Sequence, residues 1–559
     1  MLVLIIGVAF VCKGLADDVR HHAPADAFEE GSKLAFYGSE GEWNRRQFTV
    51  KAAEEAYKRR GQRALLAIID GRLESAVSEC QKWLAQDSDD LESLFVLTIV
   101  QCRQGKLDRA MKTLKQAVNA GLPLERFLAG PRDLLKPLTE SQDFRRYAAN
   151  HSSALIHGPM LGSMTDESVR IWVRTRHESV VSVKILGCGD STEKTLSSTA
   201  RTKADRDFTG VISVTGLSPD SVYFYDVLVD GQSVFGWNLP RFRTYPARNR
   251  PHRFQMVFGG CAGYTPWNER IWDTIASREP CAVLLLGDNV YIDLPGKAGP
   301  LHDYTYYRRQ SRPEFRRLSA ATPLYAVWDD HDCAMDDIWF GPYVDKPAWK
   351  LDMWRLFKNN WNNPVSGALP GRPGCWFRFS IADVDFFALD GRFYRTNPHD
   401  PSATMLGPDQ KAWLLDALRS SSATFKFVAS PVPWAYDAKP TSADTWNGFK
   451  RERDELFDFI AKTKIDGVIL LSSDRHRSDA RRITRDAAYD LFDFESGRLT
   501  NMKYADLLPG ALFGYNEKCS FGLLSFDTTL DDPTVTYHIV NIDNDIIHSL
   551  TVARSQLSK

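Results

Sequence analysis

The stretch AVLLLGDNVYID, Ala282 to Asp293, runs through five apolar residues and breaks at Gly287 into Asp288. Strands buried on both faces of a parallel sheet read as continuous apolar runs, and open α/β sheets bind ligands outside the carboxyl ends of their strands. Four more segments share the pattern: FQMVFGGC (Phe254 to Cys261), LYAVWDDHD (Leu324 to Asp332), FFALDGR (Phe386 to Arg392) and GVILLSSDRH (Gly467 to His476). Each ends in anionic, cationic or metal-ligating side chains. Five such endings predict one α/β domain with a polar crevice where they converge.

Working outward, the 559 residues exceed what a single hydrophobic core supports, so the chain is multidomain. A net charge of −1 and no long basic run exclude a chain built to hold nucleic acid or an anionic membrane electrostatically. Nine cysteines do not make a disulfide scaffold, although Cys80 and Cys102 could pair in an oxidising compartment. The opening MLVLIIGVAFVC is too short to span a bilayer and is followed by Gly14-Leu15-Ala16, which predicts a signal peptide over 1–16 and a secreted or periplasmic protein. No later run has transmembrane length. A polar lead-in covers 17–44.

Residues 45–150 carry helical patterning. Gly71-Arg-Leu-Glu-Ser-Ala76 is echoed 34 residues later by Gly105-Lys-Leu-Asp-Arg-Ala110, which resembles tetratricopeptide repeats. Such a region offers a concave surface to a protein partner or serves as a packing module. From 154 to 247 the pattern alternates, as in SVRIWVRT (Ser168 to Thr175) and SVYFYDVLVDG (Ser221 to Gly231), and predicts a β-sandwich. Its Gly216 to Asp220 turn followed by Tyr223 resembles fibronectin type III domains. Strands and helices alternate from 252 onward, and Phe521 to Val552 returns to strands suited to closing a second sheet.

The chemistry lies at the strand ends. A two-metal hydrolase needs a carboxylate that bridges both ions, further ligands matched to each metal, and cations facing a phosphate. Asp288 is the bridge candidate. Tyr291 offers a phenolate, Cys261 a thiolate, and Asp474 with His476 a carboxylate and an imidazole on alternate residues.

Taken together, GCAGY at Gly260, GDNVY at Gly287, WDDHD at Trp328, LDGRFYR at Leu389, LGPDQKAWLLDAL at Leu406, Trp446 to Arg453 and SSDRH at Ser472 resemble the alkaline phosphatase D (PhoD-like) metallophosphatases over residues 252–545. The resemblance implies an αββα four-layer sandwich. It also implies a ferric ion (Fe3+) held by Cys261, Asp288, Tyr291 and Asp474, with calcium (Ca2+) nearby, zinc or manganese being alternatives. Two positions depart from the family. Asp336 stands where many relatives carry a metal-ligating Asn, and is the calcium-ligand candidate here; Ser473 replaces the usual glycine before Asp474. His331 is the candidate to protonate the leaving alkoxide or bond the phosphate, with Asp288 and Arg392 completing the catalytic set. Arg392 and Arg395 could supply the fork that recognises phosphate oxygens, the other reading being ion pairing with the many nearby carboxylates. Asp390 would orient Arg392 or cap a strand, and Trp328, Trp434 and Trp446 would wall the pocket or lie in the core. The expected function is hydrolysis of phosphate monoesters or diesters by a metal-bound hydroxide. Phospholipase D-type diester cleavage is the alternative within that class. Outside it stands a scaffold protein that binds partners through the helical repeats of a degenerate phosphatase.

Overall fold

The computed structural model describes residues 57–149, 153–187, 198–296, 299–365, 367, 372–486 and 488–559. The expected signal peptide and lead-in lie outside the described residues. Among the described residues, no helix is long and apolar enough to cross a membrane.

Two helix pairs open the described chain, Tyr57–Ile69 with Leu73–Leu84 and Leu91–Arg103 with Leu107–Asn119, and they repeat at the 34-residue interval. Gly71 (φ 76°) and Gly105 (φ 72°) make the two turns, a left-handed conformation that costs glycine little. Three short helices follow, Glu125–Ala129, Arg132–Thr139 and Gln142–Ala149. Leu94, Phe95 and Phe127 belong to one continuous apolar core with Trp272, Leu301 and Tyr304. The helical region is therefore packed into the α/β domain. Cys80 and Cys102 are buried free thiols, which corrects the expected pairing.

The sandwich consists of strands β1 (Leu155–Gly162), β2 (Ser168–Thr175), β3 (Val180–Gly187), β4 (Ala200–Arg201), β5 (Thr209–Thr215), β6 (Val222–Val229), β7 (Gln232–Ser233) and β8 (Arg241–Arg243). One sheet has the order β1-β2-β5 and the other β4-β3-β6-β7, with β8 beside β6. Tyr223 Oη accepts the Ser218 backbone N–H at 2.9 Å, tying the turn to its strand. Tyr225 is the inward ring, and its hydroxyl donates to the Ala320 carbonyl at 2.7 Å.

Two larger sheets form the C-terminal half. The first has the order β11-β10-β9-β19-β20-β21, where β9 is Arg253–Gly259, β10 Val283–Leu286, β11 Leu324–Val327, β19 Ser520–Asp527, β20 Thr534–Asn541 and β21 Ile546–Ala553. The second runs β12-β13-β14-β15-β17-β16-β18, where β12 is Phe377–Ile381, β13 Val384–Ala388, β14 Phe425–Ala429, β15 Val468–Ser472, β16 Ser478–Ile483, β17 Leu491–Ser496 and β18 Ala511–Tyr515. Strands β9 to β11 are mutually parallel, as are β13, β14, β15 and β17. The C-terminal strands join the first sheet, with β19 antiparallel to β9.

The sheets meet face to face through Phe427 on Phe526 (5.5 Å between centroids) and Phe494 on Tyr537 (4.6 Å). Strand β10 explains its own unbroken apolar reading. Leu284 and Leu286 enter this inter-sheet core, while Val283 and Leu285 enter the core shared with the helices. A strand covered on both faces has no solvent side to mark with polar residues.

Candidate metal centre

Three strands of the C-terminal half end two residues short of a candidate ligand: β9 before Cys261, β10 before Asp288 and β15 before Asp474. Each of these residues, and His476, holds a left-handed backbone, with φ of 56°, 53°, 78° and 53° respectively. Such conformations strain any residue with a Cβ, and they persist where surrounding structure over-determines them. The over-determination is visible. Cys261 and Ala262 donate backbone N–H groups to the Gly287 and Asp288 carbonyls at 3.2 and 2.8 Å, locking the first two strand ends together. A Cβ on Gly260 would lie 2.4 Å from Ser473 Oγ, and one on Gly287 2.4 Å from Asp329 Cβ, so all the loops press against one another. Ser473 is buried in this contact, its hydroxyl 3.9 Å from Cys261 Sγ.

The result is a tight donor set. Ligand atoms of Cys261, Asp288 and His476 lie within 4.8 Å of one another, and so do those of Asp288, Asp330 and His331, with Asp288 common to both groups. That is the placement a bridging carboxylate needs. Tyr291 Oη donates to Asp288 Oδ2 at 3.0 Å and accepts from Asn501 Nδ2 at 2.7 Å. Asp474, two residues before His476, belongs to neither group, and its charge bears on Cys261. Asp288 Oδ1, Asp474 Oδ2 and His476 Nδ1 are buried without a hydrogen-bond partner among the described residues. Buried acceptors left unsatisfied are costly, and a cation satisfies all three, so the residues present fit a metal centre. Burial pushes the Asp288 carboxyl and the Cys261 thiol well above their ordinary pKa, Asp288 further through Asp330, Asp329 and Asp332. A bound cation inverts that balance by stabilising the charged forms.

His331 lies over Tyr291, ring centroids 4.3 Å apart. Its Nδ1 is 2.5 Å from Asp293 Oδ1 and its Nε2 2.8 Å from Asp336 Oδ1. Burial alone would lower its pKa, but Asp288, Asp330 and Asp336 outweigh burial and lift it to about 9. Asp332 clamps the neighbouring loop, accepting the Asn289 and Val290 backbone N–H groups at 3.0 and 3.1 Å.

Several expectations are corrected. Asp336 is largely exposed and bonds His331; it joins neither ligand group. Arg392 is fully buried, with Nε 2.5 Å from Asp329 Oδ1 and its two terminal nitrogens on Asp444 at 2.7 and 3.1 Å. Arg395 is also fully buried and reaches Asp444 Oδ1 at 2.8 Å. Arg392 is spent on these carboxylates, whereas Arg395 is held on Asp444 by one nitrogen, its Nε and Nη1 buried without a hydrogen-bond partner among the described residues; neither guanidinium is exposed. Asp390 accepts the Arg392 and Phe393 N–H groups at 2.9 Å and Trp328 Nε1 at 2.7 Å, shaping a turn. Trp434 and Trp446 stack on each other at 4.2 Å in the core and do not wall the pocket. Asp293 and Asp330 support the centre from within the quoted stretches AVLLLGDNVYID and WDDHD without having been singled out there, and Asn501 supports it from outside every quoted pattern. The readings also missed Gln62, whose Nε2 donates to the Tyr291 carbonyl at 2.6 Å from far up the chain.

Comparison with known proteins agrees with this geometry. Residues 256–500 match the family model described as PhoD-like phosphatase, and residues 152–248 match one described as a domain of unknown function, DUF7800. Alkaline phosphatase D of Bacillus subtilis (strain 168) is 25% identical over 317 residues, which cover 49% of this chain and 54% of that protein. The chain thus spans about half the length of that curated relative. The solved structure of PhoD superposes with a TM-score of 0.59 at 17% identity, covering 71% of this chain and 90% of that one. The purple acid phosphatase PPD1 from yellow lupin (Lupinus luteus) seeds gives 0.53 at 11% identity, covering 72% and 75%. These two similarities show the fold. The family match, the curated relative and the shared fold together support placing residues 256–500 in the PhoD-like phosphatase family.

Proposed function

We propose that the chain is a metal-dependent hydrolase of phosphate esters. The observation that carries this reading is the grouping of ligand atoms of Cys261, Asp288 and His476 within 4.8 Å of one another, with Asp288 Oδ1 and His476 Nδ1 buried and without a hydrogen-bond partner among the described residues and Tyr291 bonded to Asp288. Cys261, Asp288, Tyr291, Asp474 and His476 would hold a hard, highly charged ion such as Fe3+, and the Asp288 and Asp330 oxygens would favour Ca2+ beside it. Bound metals supply Lewis-acid neutralisation of phosphoryl charge and lower the pKa of attacking water. Asp293 fixes the His331 ring through Nδ1, and Nε2, which meets the exposed Asp336, is the atom that would give a proton to the leaving alkoxide. The apolar opening of the sequence supports export, and both monoesters and diesters remain substrates to be tried.

Purified protein assayed for iron and calcium, and for hydrolysis of p-nitrophenyl phosphate and bis-p-nitrophenyl phosphate with and without chelator, tests the reading. Asp288→Asn should lower turnover by about a thousand-fold or more with circular dichroism unchanged. A fully active Asp288→Asn enzyme, or metal-free wild type with no turnover after iron and calcium are added, rejects it.

A further inference from the structure

The helical region lies wholly outside the residues that match the phosphatase family model, yet its first helical turn reaches the metal centre. Lys58 Nζ stands 3.9 Å from the centroid of the Tyr291 ring. Gln62, one turn further along the helix, bonds the Tyr291 carbonyl. Arg59 is ion-paired with Asp293, the carboxylate that fixes His331. The helix is held firmly in this pose. Arg308 Nη1 donates to the Lys58 carbonyl at 2.9 Å, and a Cβ on Gly61 would come within 1.8 Å of Tyr304 Oη, so the helix backbone rests directly on that ring. Tyr57 adds an edge contact with Trp267 at 5.4 Å.

Lys503 is exposed on the loop that also carries Asn501: its backbone N–H donates to Asn501 Oδ1 at 3.2 Å, and Asn501 Nδ2 donates to Tyr291 Oη. Lys58 and the loop of Lys503, far apart in sequence, therefore both adjoin Tyr291. Among the described residues, the Lys58 ammonium makes no hydrogen bond or ion pair, which leaves its N–H donors to a ligand. Arg392, by contrast, is consumed by Asp329 and Asp444, and Arg395 is anchored on Asp444 and fully buried.

We propose that Lys58, delivered by the N-terminal helical region, and Lys503 bind the phosphoryl oxygens of the anionic substrate, in the part expected of Arg392 and Arg395. This rests on the phosphoester reading of the same site. An ammonium is a compact charge with rotatable donors, so it follows a phosphoryl group from ground state to transition state without the fixed geometry of a guanidinium fork. The assignment also gives the helical region a role in the reaction: it completes the substrate pocket.

The test is orthophosphate binding to the metal-loaded full-length chain, followed by titration calorimetry. Lys58→Met and Lys503→Met should each weaken orthophosphate 5- to 50-fold and the double variant more, with metal content and Tm unchanged, while Lys58→Arg keeps most of the affinity. Orthophosphate affinity unchanged in the double variant overturns the proposal. So does a Lys58→Met protein that loses metal but binds phosphate normally at its remaining loaded sites, because the lysine would then serve the metal ligands. Because binding is read without turnover, a chain that binds orthophosphate through these lysines but hydrolyses no ester sinks the hydrolase reading and leaves the lysine assignment standing.

Discussion

Arg392 and Asp444 face each other as a fully buried fork, Nη1 to Oδ1 at 2.7 Å and Nη2 to Oδ2 at 3.1 Å. The Arg392 Nε is spent on Asp329, so one guanidinium joins the β11 exit, the β13 exit and the loop before Trp446.

That arrangement predicts a stability phenotype for Arg392. Arg392→Met leaves buried Asp329 without its cation and Asp444 with Arg395 alone, which costs about 3–5 kcal/mol. Urea denaturation should show the loss directly. A variant of normal stability with a raised KM for p-nitrophenyl phosphate would instead return Arg392 to the phosphate.

Asn501 orients Tyr291 from behind, its Nδ2 on the phenol oxygen at 2.7 Å. Removing such a support typically costs about 10- to 100-fold in metal affinity or activity. Asn501→Leu should show this in competition with a chelator, with little change in Tm. Undiminished metal retention would mean that Tyr291 is no ligand.

Buried His302 donates Nε2–H to the Leu294 carbonyl at 2.9 Å, and burial lowers its pKa to about 4. The unfolded chain binds this proton near pH 6.5 and the folded one only near 4. The stability His302 contributes is therefore complete above pH 6.5 and is lost as pH falls towards 4, by about 3 kcal/mol at the end of that window. His302→Gln removes the dependence. The stability gap between wild type and variant should shrink or reverse from pH 7.5 to 4.5, and a gap independent of pH would contradict the assignment.

Gly61 lies inside the Tyr57–Ile69 helix, where alanine is intrinsically better by about 1 kcal/mol. Because its Cβ would strike Tyr304 Oη, Gly61→Ala should instead destabilise by about 1–3 kcal/mol. Tyr304→Phe removes the struck oxygen and should recover part of the loss in a double-mutant cycle, although it also leaves Glu92 without that hydroxyl. A stabilised Gly61→Ala protein would show that the helix does not seat on Tyr304, and would loosen the placement of Lys58.

Much of the centre was legible because strand-end chemistry is local. The apolar run of β10, the break at Gly287 and the Asp after it are three consecutive statements about burial, turning and charge, and Cys261 and Asp474 repeat them on β9 and β15. The arginines were misread for an equally local reason: a sequence shows that Arg392 can fork onto an anion, but not that Asp444 arrives first.

The amino-acid order alone determined which strands are buried on both faces, where each one stops, and that metal-capable side chains stand at those stops, because burial pattern and turn chemistry act over a few neighbouring residues. Only the tertiary structure decided which charges meet. Lys58 over Tyr291, Arg59 on Asp293 and Arg392 on Asp444 join positions from 52 to more than 200 residues apart. Whether a cation is spent on a partner or left for a ligand depends on the packing of whole elements, which no local pattern encodes.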